Sequence, residues 1–447
     1  MIVKRLLTNL VFTCLSIGVL GALAAEWPEW RGPPAQGHAT SRPLPIHWSE
    51  GSNVVWRTEV PGRGWSSPVI GGNDVWLTTA VEHAANPEDA ARRLKASSNP
   101  QSLTVLASLE LRAIGLDRTT GRLKHNVLLL TELDPQSVHE LNSYASPSPV
   151  LEDGRLYCHF GTFGTACVDT QTARVLWTNT TLRIVHENGP GSSPIVWRDR
   201  LIFHLDGSDS QSIAALDKRT GKLVWRTARS GVLRDNPQAR KSYATPLVLD
   251  VAGRPQLFSP GADWLFGYDP QDGRELWKLN YGAPGYSLSA RPVANGSMFF
   301  TSIGFDAPEL LAIRFGSDGN PAIQWRYSKG VSTMSSLLLI GNELYFVSDS
   351  GGIFTCLDAS TGREHYRERL GGNHSSSPIF ADGRIYLASR EGVTSVIQPG
   401  VAFQLISHNK LAGKIMASPA AVDTALFVRT DTAMYRIEQI PKVPQSN

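Results

Sequence analysis
Short runs of β-branched, aromatic and other apolar residues, such as Arg155-Leu156-Tyr157-Cys158-His159-Phe160, follow one another along most of the chain. They stop at Asp-Gly, Asn-Gly or Thr-Gly pairs. Runs of that length with those stops predict antiparallel strands joined by tight turns. The chain therefore reads as all-β, apart from one break. Asn86-Pro87-Glu88-Asp89 has the cap and first turn of a short helix reaching Lys95.

One block punctuates the runs. Asp217, Thr220, Gly221 and Trp225 form a turn followed by a strand, and the pattern returns at Asp117 to Gly121, Asp169 to Trp177, Asp269 to Trp277 and Asp358 to Tyr366. Weaker copies lie at Arg314 to Trp325 and Val396 to Leu405. A second anchor, a small residue and usually a proline opening an apolar run, falls near Pro68, Pro149, Pro194, Pro246, Pro292, Leu337, Pro378 and Pro419. From Pro149 onward the steps are 45, 52, 46, 45, 41 and 41 residues, against roughly 40 to 50 for a four-stranded propeller blade. The first step, 81 residues, must hold an insertion, placed at 81–107.

These spacings predict an eight-bladed β-propeller of four-stranded antiparallel blades over 53–440. The strands of each blade are called A to D in chain order. The last unit supplies only three strands, at Met416 to Val422, Leu426 to Thr430 and Ala433 to Gln439. Val54 to Val60 resembles a D strand and is expected to close the ring, removing the edges an open sheet would expose. Trp177, Trp225, Trp277 and Trp325 are read as wedges between neighbouring blades. The Asp and Gly of the block are read as turn chemistry.

Outside the repeat, residues 1–24 carry Lys4 and Arg5, an apolar stretch from Leu6 to Leu23 and the small-residue site Ala22-Leu23-Ala24. That is the layout of a cleaved secretory signal, with a retained anchor as the rival reading. The expected location is periplasmic or extracellular, with no stable membrane span after cleavage. Residues 25–52 form an N-terminal extension and 441–447 a tail. Loss of Lys4 and Arg5 takes the basic count from 43 to 41 against 40 acidic side chains. A near-neutral chain without a basic cluster excludes nucleic acid as the expected partner. Cys158 and Cys167 flank a hairpin. A two-residue turn there would set them opposite each other for a cross-strand disulfide, and two buried thiols fit the spacing equally.

The turns on one face of such a propeller are all short, so length is confined to the other. There lie Leu128 to Ser143, Thr180 to Gly191, Asp206 to Gln211, Ala228 to Ser242 and the insertion. Residues entering each A strand would crown a central funnel on this loop-rich face: Arg63, Trp65, Asn142, Tyr144, His186, Glu187, Lys241, Tyr243, Tyr286 and His374. Together with Asp206 and Asp209 they are the candidate ligand-binding set. Asp206 and Asp209 could begin a cation site, yet the histidines show no metal-ligand spacing and no metal is expected. No catalytic residue can be named.

The block Ala215 to Trp225 resembles the tryptophan-docking repeat of the pyrroloquinoline quinone (PQQ) propeller superfamily. Trp27-Pro28-Glu29-Trp30-Arg31-Gly32-Pro33, Pro61 to Pro68 and Gly189 to Pro194 are similar to secreted PQQ-binding-like propellers of the planctomycete type. The superfamily's quinoprotein alcohol dehydrogenases imply PQQ with calcium, and its BamB-like branch implies a protein-binding scaffold. The chain lacks the adjacent cysteines of the former and the lipid-attachment signal of the latter. The expectation is a non-enzymatic scaffold that binds a protein or glycan partner through the loop-rich face, without a cofactor. The alternative is a PQQ-dependent or other small-ligand oxidoreductase using the funnel. Oligomeric state is not legible.

Overall fold
The computed structural model describes residues 26–96, 103–186, 188–282, 285–296, 298–317 and 319–440. The expected signal and its anchor alternative at 1–24, the tail at 441–447 and Glu187 lie outside them. Eight four-stranded antiparallel sheets form the propeller, and one two-stranded ribbon accompanies them. The expected closure is present. Val54–Glu59 pairs with Ala433–Glu438, with Thr58 opposite Met434, and completes the sheet of Ala420–Val422 and Ala425–Arg429. No described helix is long and apolar enough to cross a membrane.

The insertion lengthens the first blade instead of looping away from it. Its B strand runs Asp74–Ala84, its C strand Leu106–Asp117 and its D strand Leu123–Leu133. Between B and C sits the helix Pro87–Ala96, capped where the Asp89 amide donates to Asn86 Oδ1 at 2.9 Å. Leu103–Thr104 then pairs with Val138–His139 to make the ribbon, which ties the insertion to the loop-rich face.

The tryptophans dock between blades, and the docking explains the glycine of the block. Trp177 Nε1 donates to the Lys218 carbonyl of the next blade, and its ring lies where a Cβ on Gly221 would fall, at 2.4 Å. Trp225 meets Gly273, Trp325 meets Gly362 and Trp56 meets Gly121 in the same way. Gly221 thus has two reasons to be glycine, a φ of +70° and an indole against its α-carbon. Asp217 Oδ1 accepts from the Arg219 and Thr220 amides and the Thr220 hydroxyl, as turn chemistry requires. Trp277 departs from the pattern, because its blade faces the weak copy of the block. Its Nε1 turns back to Gln256 Oε1 at 2.7 Å, and its ring packs with Phe258, Phe299 and Phe315.

The hairpin at Cys158 differs from the two-residue turn that would favour a disulfide. A 3-10 turn at Gly161–Phe163 lengthens the connection, so Cys158 faces Ala166 and Cys167 faces Tyr157. An offset of one residue sends neighbouring side chains to opposite faces of a strand. The thiols accordingly enter different cores and are free, the second of the two readings.

The N-terminal segment straps the short-turned face. Trp27 exchanges two backbone hydrogen bonds with Ile70 of the first blade, each 2.8 Å, and Pro28 accepts from Leu151 of the second. Arg31 donates to the Leu337 carbonyl at 2.6 Å, Ala39 bonds Phe380, and the Trp48 amide donates to Asn409 Oδ1. Short contacts to the first, second, sixth and seventh blades lead into the closing strand.

A candidate binding funnel
Each A strand starts beside the axis, and the residue just before the anchor proline builds a belt there. The Ser67 amide donates to Ser148 Oγ, Ser148 to Ser193 and Ser193 to Thr245, at 2.8, 2.9 and 3.0 Å. On the far side Arg291 donates to Ser336, Ser336 to Ser377, Ser377 to Ser418, and Ser418 back to Ser67. Every step joins one blade to the next. At the fifth blade Arg291 stands where the others carry a hydroxyl. Its buried guanidinium reaches the Pro246 carbonyl and, through Nη1, the Glu29 carboxylate and the Trp30 carbonyl.

Above the belt opens a funnel of about 520 Å³, within the usual range for small-molecule sites. Trp30 rises into it from the strap, its indole N–H on Ser418 Oγ at 3.2 Å. The strap and belt close the narrow end, and the wide end faces the long loops. Trp65, Tyr243, Tyr286 and Phe305 supply aromatic surface. Lys241 follows the short 3-10 turn Pro237–Arg240, whose cap is Asn236 Oδ1 accepting from the Gln238 amide. Lys241 is buried, and its ammonium donates to Gln238 Oε1. Backbone bonds from Tyr243 to Leu288 and from Ser287 to Lys241 tie this wall to the next blade.

Of the candidate residues, Trp65, Asn142, Lys241, Tyr243 and Tyr286 line the funnel. Asn142 clamps two loops, donating to the Asn188 and Pro190 carbonyls. Arg63 stands behind, its guanidinium 5.4 Å from the Trp65 ring centre and bonded to the Glu140 and Asn142 carbonyls. Tyr144 is a core residue packed on Phe163. His374 is buried with its two ring nitrogens each 3.1 Å from a carbonyl, of Ala388 and Gly371. Asp206 does not begin a cation site: both its oxygens are taken by Arg229 at 2.7 and 2.6 Å, out of contact with solvent. Asp209 Oδ1 accepts from the Val185 amide.

His186 belongs elsewhere. With His159 and His204 it surrounds a cavity of about 20 Å³ between the second and fourth blades. Burial holds these imidazoles neutral, pushing His159 down to about 3, His186 to about 4 and His204 well below the usual range. Sequence reading missed Trp30, His139, Phe305, Met334 and the belt hydroxyls. The density of Trp, Gly and Pro at 27–33 was the available signal for Trp30, since such residues outside a repeat mark a segment with its own packing.

The model of a family described as outer membrane protein assembly factor BamB matches residues 115–355 and, overlapping, 268–400. The chain belongs to that family. No curated protein matches. Among solved structures, BamB from Moraxella catarrhalis is 12% identical with a TM-score of 0.53, covering 81% of this chain and 99% of that one. A europium-containing methanol dehydrogenase is 11% identical with a TM-score of 0.60, covering 90% and 89%. The quinohemoprotein alcohol dehydrogenase from Comamonas testosteroni is also 11% identical at 0.60, covering 95% and 82%. At such identities the likeness is one of fold.

The dehydrogenase branch implies PQQ with a metal ion. The described residues lining the funnel include no Asp or Glu, and no three His, Cys, Asp or Glu side chains among the described residues gather to hold a metal. A hard divalent cation draws on several oxygens, usually carboxylates. This lining offers hydroxyls, amides and an ammonium, a poor match for a cofactor and cation pair.

Proposed function
We propose that this protein is a non-enzymatic scaffold, exported to the periplasm or beyond, that binds a protein or glycan partner through its loop-rich face. The observation that carries the reading is the rim of that face. Leu133, Leu141, Val185, Val232 and Phe305 all expose apolar surface at loop or strand ends around the funnel, Val232 at 82% and Leu133 at 74%. Exposed apolar groups also stand on outer blade strands, as at Val175, Leu176, Leu223 and Val224, and those at the funnel mouth, rimmed by polar loops, form the interaction surface proposed here. Membership of the assembly-factor family and the rigid belt beneath support the same reading. Loops on an unyielding ring can vary without loosening the fold.

The test is to probe arrays of peptides and envelope glycans with the purified protein and its Phe305→Asp and Val232→Asp variants. Specific binding, weakened about tenfold in the variants at unchanged melting temperature, is expected for hot-spot apolar contacts. Turnover of a primary alcohol with an electron-accepting dye after adding PQQ and calcium would overturn the scaffold reading.

A further inference from the structure
The funnel is a dead end, and the described residues that close it are uncharged. They are Ser67, Ser148, Ser193 and Ser418 of the belt and Trp30 of the strap. The guanidinium groups of Arg31, Arg291 and Arg429 stand outside the lining and donate to protein oxygens. A molecule that reaches this floor leaves water behind, and burying an unpaired charge is costly. A peptide end carries an ammonium or a carboxylate. A saccharide end carries neither.

The wall is polar, and its ionic groups are already engaged. Asp349 accepts from the Ser332 and Thr333 hydroxyls and from the Thr333 and Met334 amides, and exposed Asp306 accepts from the Tyr286 hydroxyl at 2.9 Å. Lys241 donates to Gln238 Oε1, and burial keeps His139 neutral. Thr333, Ser375, Asn142 and Asn188 bring hydroxyls and amides to the lining, groups that both donate and accept, as sugar hydroxyls do. Two aromatic rings are held in place beside them. Arg63 lies over the Trp65 ring, 5.4 Å from its centre, while bonded to the Glu140 and Asn142 carbonyls. Arg234 lies over the Tyr286 ring at 5.6 Å while paired with Asp263. Both rings line the cavity and neither guanidinium does, so each ring is backed by protein and little ordering is left for a ligand to impose.

Resting on the loop-rich face as a partner surface, we propose that the funnel is a specific site for the uncharged end of an oligosaccharide. Trp65 and Tyr286 stack on the C–H faces of sugar rings, the wall hydroxyls and amides exchange hydrogen bonds with the sugar hydroxyls, and the neutral floor receives the terminal ring. The volume of about 520 Å³ suits a ligand of a few rings.

Titration calorimetry on the purified protein tests this with neutral triacetylchitotriose, cellotriose and galactotriose, with charged trigalacturonate, and with trialanine as a peptide whose two ends are charged. A neutral trisaccharide is expected to bind at least about tenfold more tightly than either charged compound, the low end of the cost of burying an unpaired charge. Its affinity should not change with added salt. Trp65→Leu and Tyr286→Leu should each weaken it at least about tenfold, and Trp65→Phe should keep most of it, with melting temperatures verifying the fold. Charged compounds that bind as tightly, or neutral binding untouched by both leucine variants, overturn the funnel site while leaving a glycan partner on the rim standing. Binding of trialanine alone overturns the saccharide in favour of a peptide end. Absence of any binding overturns the site altogether. Val232 does not line the funnel, so Val232→Asp then reads the scaffold proposal by itself.

Discussion
Arg291 Nη1 donates to the Glu29 carboxylate at 2.8 Å, joining the fifth blade to a segment 262 residues earlier. The guanidinium side chain is 3% exposed, so loss of the carboxylate leaves a buried cation with carbonyl partners only. Breaking such a pair costs about 3 kcal/mol. Glu29→Gln is therefore expected to lower the unfolding midpoint and to open residues 26–52 to limited proteolysis. An unchanged cleavage pattern would show that the strap is held without this pair.

Two glycines separate conformational cost from docking. Gly221 and Gly253 both have φ in the left-handed region, +70° and +80°, but a Cβ at Gly221 meets the Trp177 ring at 2.4 Å while one at Gly253 meets nothing within 4 Å. Gly253→Ala should cost about 1 kcal/mol from backbone alone. Gly221→Ala should cost at least about 2 kcal/mol more by overpacking against the indole. Urea denaturation of both variants checks the difference, and equal losses would refute the docking account.

The three histidines around the small cavity set a pH dependence. Their folded-state values lie below the ordinary 6.5, near 3 for His159 and near 4 for His186, with His204 lowered too. The unfolded chain therefore takes up protons first as pH falls, and stability declines from about pH 6.5 downward until the folded values are reached. At pH 5 the loss is roughly 2 kcal/mol per imidazole. Carboxylates titrate mainly lower, but burial also lowers His38, His139 and His374, so the share of the cavity histidines is read from the difference between wild type and variant over pH 7 to 5. His204→Gln should flatten the slope, and a wild-type midpoint constant over that interval would contradict the burial.

Asp206 and Arg229 form a fully buried bidentate pair. Asp206→Asn should lower stability by about 3 to 5 kcal/mol, because Arg229 is left charged and buried. If Asp206 served a cation instead, calcium would raise the wild-type melting temperature and fail to raise that of the variant. Thermal melts with and without calcium distinguish the two.

The blade count, the closing strand and the loop-rich face were legible because each is a repeat property: Asp217, Gly221 and Trp225 recur wherever the same local geometry recurs. Trp65, Lys241 and Tyr286 were found because position within the repeat says which residues stand at the axis. Tyr144 and His374 share that position, yet local loop paths turn them into the core. Arg291 illustrates the other limit. It breaks the run of small residues before the prolines, but only the path of the strap reveals Glu29 as the reason. The Cys158 offset depends on a 3-10 turn at Gly161–Phe163 that spacing alone does not encode.

The pairing of Val54–Glu59 with Ala433–Glu438 also governs how the molecule comes into being. The first strand of the propeller is synthesised long before its neighbour. At ribosomal speeds of about 5 to 20 residues per second, it waits on the order of tens of seconds for a partner. During that time Trp56 lacks its place against Phe427, and the strand offers open amides to any other extended chain. Birth of this protein thus has a vulnerable interval that its finished form conceals, and a chaperone that shelters extended segments would act there.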